Sequence, residues 1–139
     1  MKTQEYESQT RILVVDDVGE FRAFLAGCLK HLGYLNIVQA KDGVDALQQL
    51  VKAPTDIVFL DIEMPKQNGM ETLAQIRQQS PNTFVIMISS YSSMENVKQA
   101  ISLGANGFIV KPFSSDKIRD ALVHYQQKRK PLGSRPKVP

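Results

Sequence analysis

The stretch Asp56-Ile57-Val58-Phe59-Leu60-Asp61-Ile62-Glu63-Met64-Pro65 decides the fold. Pro54 punctuates the chain ahead of it, Asp56 to Leu60 reads as a strand, and that strand stops at once on an acid, Asp61. A helix follows, since Gln67 to Gln79 sets Met70, Leu73 and Ile76 on one face. The same rhythm spreads in both directions. Upstream, Arg11 to Val15 is a β-branched apolar run ending in Asp16 and Asp17. Val18 to Leu32 comes next, with Phe21, Phe24, Leu25, Cys28, Leu29 and Leu32 at helical spacing and Gly33 as a natural stop. Asn36 to Ala40 reads as another strand, and Asp42 is placed to cap a helix whose apolar face is Val44, Leu47, Leu50 and Val51. Downstream, Thr83 to Ile88 is apolar nearly throughout, the mark of a strand buried on both faces. Ser93 to Leu103 reads as a helix with Met94, Val97, Ala100 and Ile101 facing in. Gly107 to Val110 is the fifth strand, and Ser114 or Ser115 caps a last helix reaching about Gln127.

Five strand–helix units in roughly 120 residues argue for an α/β fold, an open parallel sheet covered by helices on both sides. Right-handed crossovers restrict the topologies sharply. Such sheets place their sites outside the carboxyl ends of the strands. Those ends carry Asp16 and Asp17, then Asp61, then Ser89 and Ser90, then Lys111 followed by Pro112. Taken singly each is ordinary: a paired acid can cap a helix, a serine can make a turn, and a lysine before a proline can sit on the surface. Four of five strands ending in matching chemistry is a different matter. Three converging carboxylates repel and raise one another's pKa unless a cation sits among them. All-oxygen donors in small number, completed by water, suit Mg²⁺ better than Ca²⁺. Acids, cation, hydroxyl and lysine together are the parts that neutralise charge in phosphoryl transfer, and an aspartate can be the nucleophile.

The 139 residues suffice for one domain with a real core. A hydrophobic fraction of 42% and a charged fraction of 22% read as globular, and no apolar run approaches a membrane span. Met1 to Thr10 is polar, unlike a signal peptide, and Cys28 is alone, so a cytoplasmic location is expected. The whole chain carries +3, of which +5 lies in the last twelve residues, so Met1 to Gln127 carries −2. The basicity therefore belongs to a tail, and nucleic acid is not the expected partner of the domain. Neither His31 nor His124 has sequence neighbours fit for a metal site. The expected organisation is a flexible N-terminus over 1–9, a domain over 10–127, and a basic disordered tail or truncated linker over 128–139.

Several stretches together carry a family resemblance. They are Ile12-Leu13-Val14-Val15-Asp16-Asp17, the stretch from Asp56 to Pro65, Asn68-Gly69-Met70-Glu71, Val85-Ile86-Met87-Ile88-Ser89-Ser90, Gly104-Ala105 and Val110-Lys111-Pro112-Phe113. The chain is similar to the receiver domain of bacterial two-component response regulators. The resemblance implies a flavodoxin-like, doubly wound sheet of order 2-1-3-4-5 with five flanking helices. It implies Asp61 as phosphoacceptor, with Mg²⁺ (or Mn²⁺) bound directly by Asp17, Asp61 and the backbone carbonyl of Glu63, and through a water by Asp16. Lys111 would hold a phosphoryl oxygen, with a cis bond to Pro112. Ser89 matches the switch hydroxyl and Phe108 the aromatic switch position, where tyrosine is often found. Phosphorylation would draw the hydroxyl inward, turn the ring, and alter the face made by helix four, strand five and helix five. Ser90 stands where alanine or glycine is frequent. Glu63 and Tyr91 flank the phosphoryl site, and a bulky Tyr91 is expected to slow attack by water.

The function so implied is a phosphorelay switch rather than an enzyme. Its donor would be a histidine kinase or phosphotransfer protein, its output an unidentified protein, with a homodimer through the helix-four to helix-five face left open. Two alternatives stand beside it. The chain could be a receiver fragment of a longer regulator, although a stand-alone protein is the simpler reading. A Mg²⁺-dependent phosphatase using an aspartyl phosphate resembles an arrangement with the nucleophile in an Asp-x-Asp pair after the first strand. Here that strand ends Asp16-Asp17, and the best nucleophile ends the third.

Overall fold

Five short strands, all parallel, form one sheet in the order β2-β1-β3-β4-β5. They are β1 (Arg11–Val15), β2 (Asn36–Ala40), β3 (Ile57–Asp61), β4 (Phe84–Ser89) and β5 (Gly107–Val110). The helices between and after them are α1 (Gly19–His31), α2 (Gly43–Lys52), α3 (Gly69–Gln79), α4 (Met94–Ser102) and α5 (Ser115–Lys137). This computed structural model describes residues 9–64, 67–90 and 93–137, with side chains as far as Arg129. The architecture is the doubly wound sheet expected from the sequence, in the expected order. Among the described residues no helix is long and apolar enough to cross a membrane.

The central strands are apolar on both faces because helices cover both. Side chains alternate along each strand, so odd and even positions feed two separate cores. Leu13, Val15, Val58, Leu60, Val85 and Met87 pack with Ala46, Leu50, Leu73, Ile76 and Ala100 under α2, α3 and α4. Ile12, Val14, Ile57, Phe59, Ile86 and Ile88 pack with Leu25, Leu29, Ile118 and Leu122 under α1 and α5. Each fully buried aliphatic side chain contributes roughly 1.5–3 kcal/mol. That double burial explains why β1, β3 and β4 read as unbroken apolar runs.

Helical faces match the sequence reading unevenly. On α3, Met70, Leu73 and Ile76 are all buried, as expected. On α2, Gly43, Ala46 and Leu50 face in, whereas Val44 and Val51 point to solvent, Val51 with 76% of its surface exposed. The cause is contact with α3, since a Cβ at Gly43 would lie 2.3 Å from Thr72 Oγ1. Only a helix rolled onto its small residues can come so close. On α4, Ala100 is buried while Met94 and Ile101 are exposed, and on α1 Phe24 is half-exposed beside buried Leu25, Ala26 and Leu29. Small residues thus join the leucines and isoleucines on the buried faces, and several large apolar ones stay outside.

Strand ends differ by one residue from the sequence reading, and the shift matters. Asp61 belongs to β3 and pairs with Ile88, and Ser89 belongs to β4 and pairs with Val110. Both side chains are therefore placed by the sheet ladder rather than by loops. Helix α5 runs to Lys137, past the end near Gln127 expected from the sequence. Gln126, Gln127, Lys128 and Arg129 are all good helix formers.

Candidate functional site

Asp16 is held from four directions at the carboxyl edge of the sheet. Its N–H donates to Ala40 O at 3.2 Å, extending the ladder toward β2. Its Oδ1 accepts from Val18 N at 2.9 Å, which turns the chain into α1. Its carbonyl accepts from Arg22 Nη1 at 2.6 Å, and its Oδ2 accepts from Lys111 Nζ at 3.0 Å. Asp17 is exposed beside it.

Asp61 sits across from them with 2% of its surface exposed. Among the described residues its Oδ1 is buried without a hydrogen-bond partner, although Lys111 Nζ stands 3.4 Å away. One carboxylate oxygen from each of Asp16, Asp17 and Asp61 can be chosen so that all lie within 4.8 Å of one another. Burial, then the charge of Asp16, pushes Asp61 up to about 7; Lys111 pulls the other way and Glu63 adds to the rise. Crowded acids with an orphaned, buried oxygen fit a hard divalent cation such as Mg²⁺.

Lys111 follows β5, where its N–H donates to Ser89 O at 2.8 Å and its peptide bond to Pro112 is cis. Burial by itself would lower its pKa, but the hydrogen bond it donates to Asp16 and the charges of Asp61 and Asp16 outweigh that and hold it raised. The ammonium also lies over the Phe21 ring, 4.1 Å from its centre, and Phe113 meets that ring edge-on at 5.4 Å. An aromatic face attracts a cation, so α1 helps aim the lysine. The helical pattern marked Phe21 as core and carried no sign of this second task.

Gly69 is a further residue whose role only the fold reveals. A Cβ there would lie 2.3 Å from Asp61 O and 2.7 Å from Ile62 Cα, and its N–H donates to Ile62 O at 2.8 Å. The start of α3 thus rests directly on the backbone of the buried acid. Asn68 caps the helix, its side chain accepting from Glu71 N at 3.0 Å.

Ser89 is fully buried at the end of β4, and its Oγ donates to Glu63 Oε2. Ser90 N donates to the other oxygen, Glu63 Oε1, at 3.0 Å. Phe108 pairs with Met87 and lies half-buried against the core under α2, α3 and α4. The fold thus brings Asp16, Asp17, Asp61 and Lys111 together and sets Ser89 next to them. Tyr91 lies outside the described residues. His31 is exposed, His124 packs by Phe84 at 5.5 Å, and burial raises the Cys28 thiol.

Comparison with known proteins agrees with this geometry. A family model described as response regulator receiver domain matches residues 12–123. The chemotaxis protein CheY of Listeria monocytogenes is 38% identical over 112 residues, covering 81% of this chain and 94% of that protein. CheY of Thermotoga maritima is 35% identical over 112 residues, covering 81% and 93%. Among solved structures, the CheX–CheY–BeF3–Mg²⁺ complex of Borrelia burgdorferi is similar at 34% identity and a TM-score of 0.79, covering 82% of this chain and 87% of that one. The response regulator TrrA of Thermotoga maritima, in complex with Mg²⁺ and BeF, is similar at 32% identity and a TM-score of 0.76, covering 84% and 99%.

Proposed function

The chain belongs to the response regulator receiver domain family, and from that premise we propose that it is a switch set by Mg²⁺-dependent phosphorylation of Asp61. The single observation that carries the choice of residue is the buried, orphaned Oδ1 of Asp61, with Lys111 close by and two further acids around it. The donor is the phosphohistidine of a kinase or phosphotransfer protein. Its P–N bond breaks as a P–O bond forms to a carboxylate oxygen of Asp61, and the released imidazole nitrogen takes a proton from solvent.

Asp17, Asp61 and the Glu63 backbone carbonyl, with Asp16 acting through a water, would hold Mg²⁺ (or Mn²⁺), which would supply positive charge beside Asp61 and the phosphoryl oxygens. The chain's own residues do the rest. Asp61 must be ionised to attack, so the burial and the neighbouring acids that raise its pKa to about 7 also make it dependent on added positive charge. Lys111 moves from pairing with Asp16 to pairing with the phosphoryl group, a charge-assisted bond to a stronger acceptor. Ser89 turns its hydroxyl toward the new oxygens, and Phe108 fills the space this opens behind β4.

Readout by a protein partner falls to the α4–β5–α5 face, where Met94, Ile101, Val110 and Val123 are exposed. The Borrelia burgdorferi relative, solved as a complex of CheX with CheY, BeF3 and Mg²⁺, supports binding of a protein partner. The same face is where a second copy of the chain would pair. No enzyme turnover is expected beyond transfer to Asp61 and slow hydrolysis from it.

Intact-mass measurement after incubation with acetyl phosphate and Mg²⁺ tests the reading. The parent chain gains one phosphoryl group and Asp61→Asn gains none. Equal labelling of the variant sinks the assignment. Pull-down with each form then tests whether the bound partner depends on the modification.

A further inference from the structure

Glu63 does something at this site that its backbone carbonyl does not account for. Its two carboxylate oxygens divide two neighbouring donors between them: Ser89 Oγ–H goes to Oε2, and Ser90 N–H goes to Oε1 at 3.0 Å. β4 lies directly beside β3 with Ile88 opposite Asp61, so these donors stand one and two residues beyond the partner of the buried acid. Strand spacing and rise put the backbone of Ser89 roughly 6 Å and that of Ser90 roughly 8 Å from that of Asp61. A hydroxyl and an adjacent backbone N–H presented together bind an oxyanion, and a carboxylate with two oxygens is the smallest side-chain oxyanion that can fill both.

The phosphoryl group proposed for Asp61 brings three oxygens into the same space. Lys111 can meet one of them, and the end of β4 carries the nearby uncharged donors. Glu63 already holds those donors. It is also a like charge to the incoming group, and it is among the acids that raise Asp61. Because Glu63 is exposed, its side chain can swing into water without stranding a buried charge.

We propose that Glu63 is a built-in competitor of the phosphoryl group: its carboxylate occupies Ser89 and Ser90 in the resting chain and is displaced when Asp61 is modified. This rests on the phosphoacceptor reading of Asp61. The latch keeps the Ser89 hydroxyl turned toward the β3–α3 loop until an anion of higher charge takes its place. It is a positioning residue, acting on the site through Ser89 and Ser90. A residue of this kind sets how readily the switch is thrown without touching the transferred group.

Beryllium fluoride with Mg²⁺ serves as the probe, since it adds to a carboxylate oxygen as a phosphoryl stand-in. Its affinity is measured by calorimetry for the parent, Glu63→Ala, Glu63→Gln and Asp61→Asn. Glu63→Ala should bind about tenfold tighter than the parent, the scale of losing one charge-assisted competitor. Glu63→Gln, with one acceptor oxygen and no charge, should fall between. In metal-free protein, the Ser90 amide resonance should shift upfield in Glu63→Ala, a change that tracks the hydrogen bond and not the chemistry. An unmoved Ser90 amide, or an affinity for Glu63→Ala no better than the parent's, overturns the latch. If Asp61→Asn binds beryllium fluoride as well as the parent does, the phosphoacceptor reading fails instead, and the two failures are told apart.

Discussion

The two ends of the sheet treat polar groups in opposite ways. At the amino end they are paired off. Arg11 N donates to Asp56 Oδ2 at 2.9 Å and Asp56 N returns a bond to Arg11 O at 3.0 Å. Thr83 Oγ1 donates to Thr55 O at 2.9 Å, and Arg77 ties Gly104 O at 2.9 Å to Asn106 Oδ1 at 2.7 Å. At the carboxyl end, three acids crowd one lysine, and a buried oxygen of Asp61 is left over. Satisfied groups hold a fold together, whereas unsatisfied ones hold a place for a ligand. The comparison separates residues kept for stability from residues kept for the switch.

Breaking the carboxyl end has the larger expected effect on function. Lys111→Ala should slow labelling of Asp61 by acetyl phosphate roughly 10²–10³-fold, the scale of losing one fixed charge at a reacting oxyanion. A labelling rate close to the parent's would remove the lysine from the mechanism. Breaking the amino end should do the reverse. Arg77→Ala loses the bonds to Gly104 and Asn106 and should reduce stability by about 2–3 kcal/mol, read as a lower urea midpoint. Its labelling rate under native conditions should match the parent's. A slowed rate would show the two ends to be coupled.

The smallest effect sharpens the contrast through pH. Asp61 has a folded-state pKa of about 7 against an ordinary 3.8, so in metal-free protein the fold binds an extra proton between those values. That stability is fully present below about 4 and is lost as pH rises through about 7. Asp61→Asn cannot lose it, so urea titrations in chelator should show the variant gaining on the parent across that window, by up to about 4 kcal/mol at pH 8. A constant difference from pH 4 to pH 8 would mean that the buried acid carries no such strain. Mg²⁺ should stabilise the parent at pH 8 and leave the variant nearly unchanged.

Helices α3 and α2 show how far pattern reading reaches. On α3 the apolar residues at helical spacing are among the buried ones, with Met70, Leu73 and Ile76 in the core. On α2 the same spacing chose Val44, Leu47, Leu50 and Val51; Leu50 is buried and Leu47 packs against the core, yet Val44 and Val51 are exposed and Gly43 and Ala46 are buried instead. Periodicity ranks side chains by size and polarity, while the close approach of α2 to α3 selects for smallness. The site divides the same way. Asp16, Asp17, Asp61, Ser89 and Lys111 were legible because they end strands of one parallel sheet. Phe21 under the lysine, Gly69 against the Asp61 backbone and the Glu63 carboxylate on Ser89 were not.

Strand runs, their polar stops and the alternation with helices are local features, so the chain's linear order alone determined an open parallel sheet with acids, serine and lysine along one rim. Which oxygen of Asp61 would be stranded and which acid would take the lysine were decided only when β1, β3, β4 and β5 came side by side. Those outcomes depend on distances of a few ångströms between residues far apart in the chain, such as 3.0 Å between Lys111 and Asp16. Electrostatic and hydrogen-bond energies change sharply over that range, and residue order does not encode it.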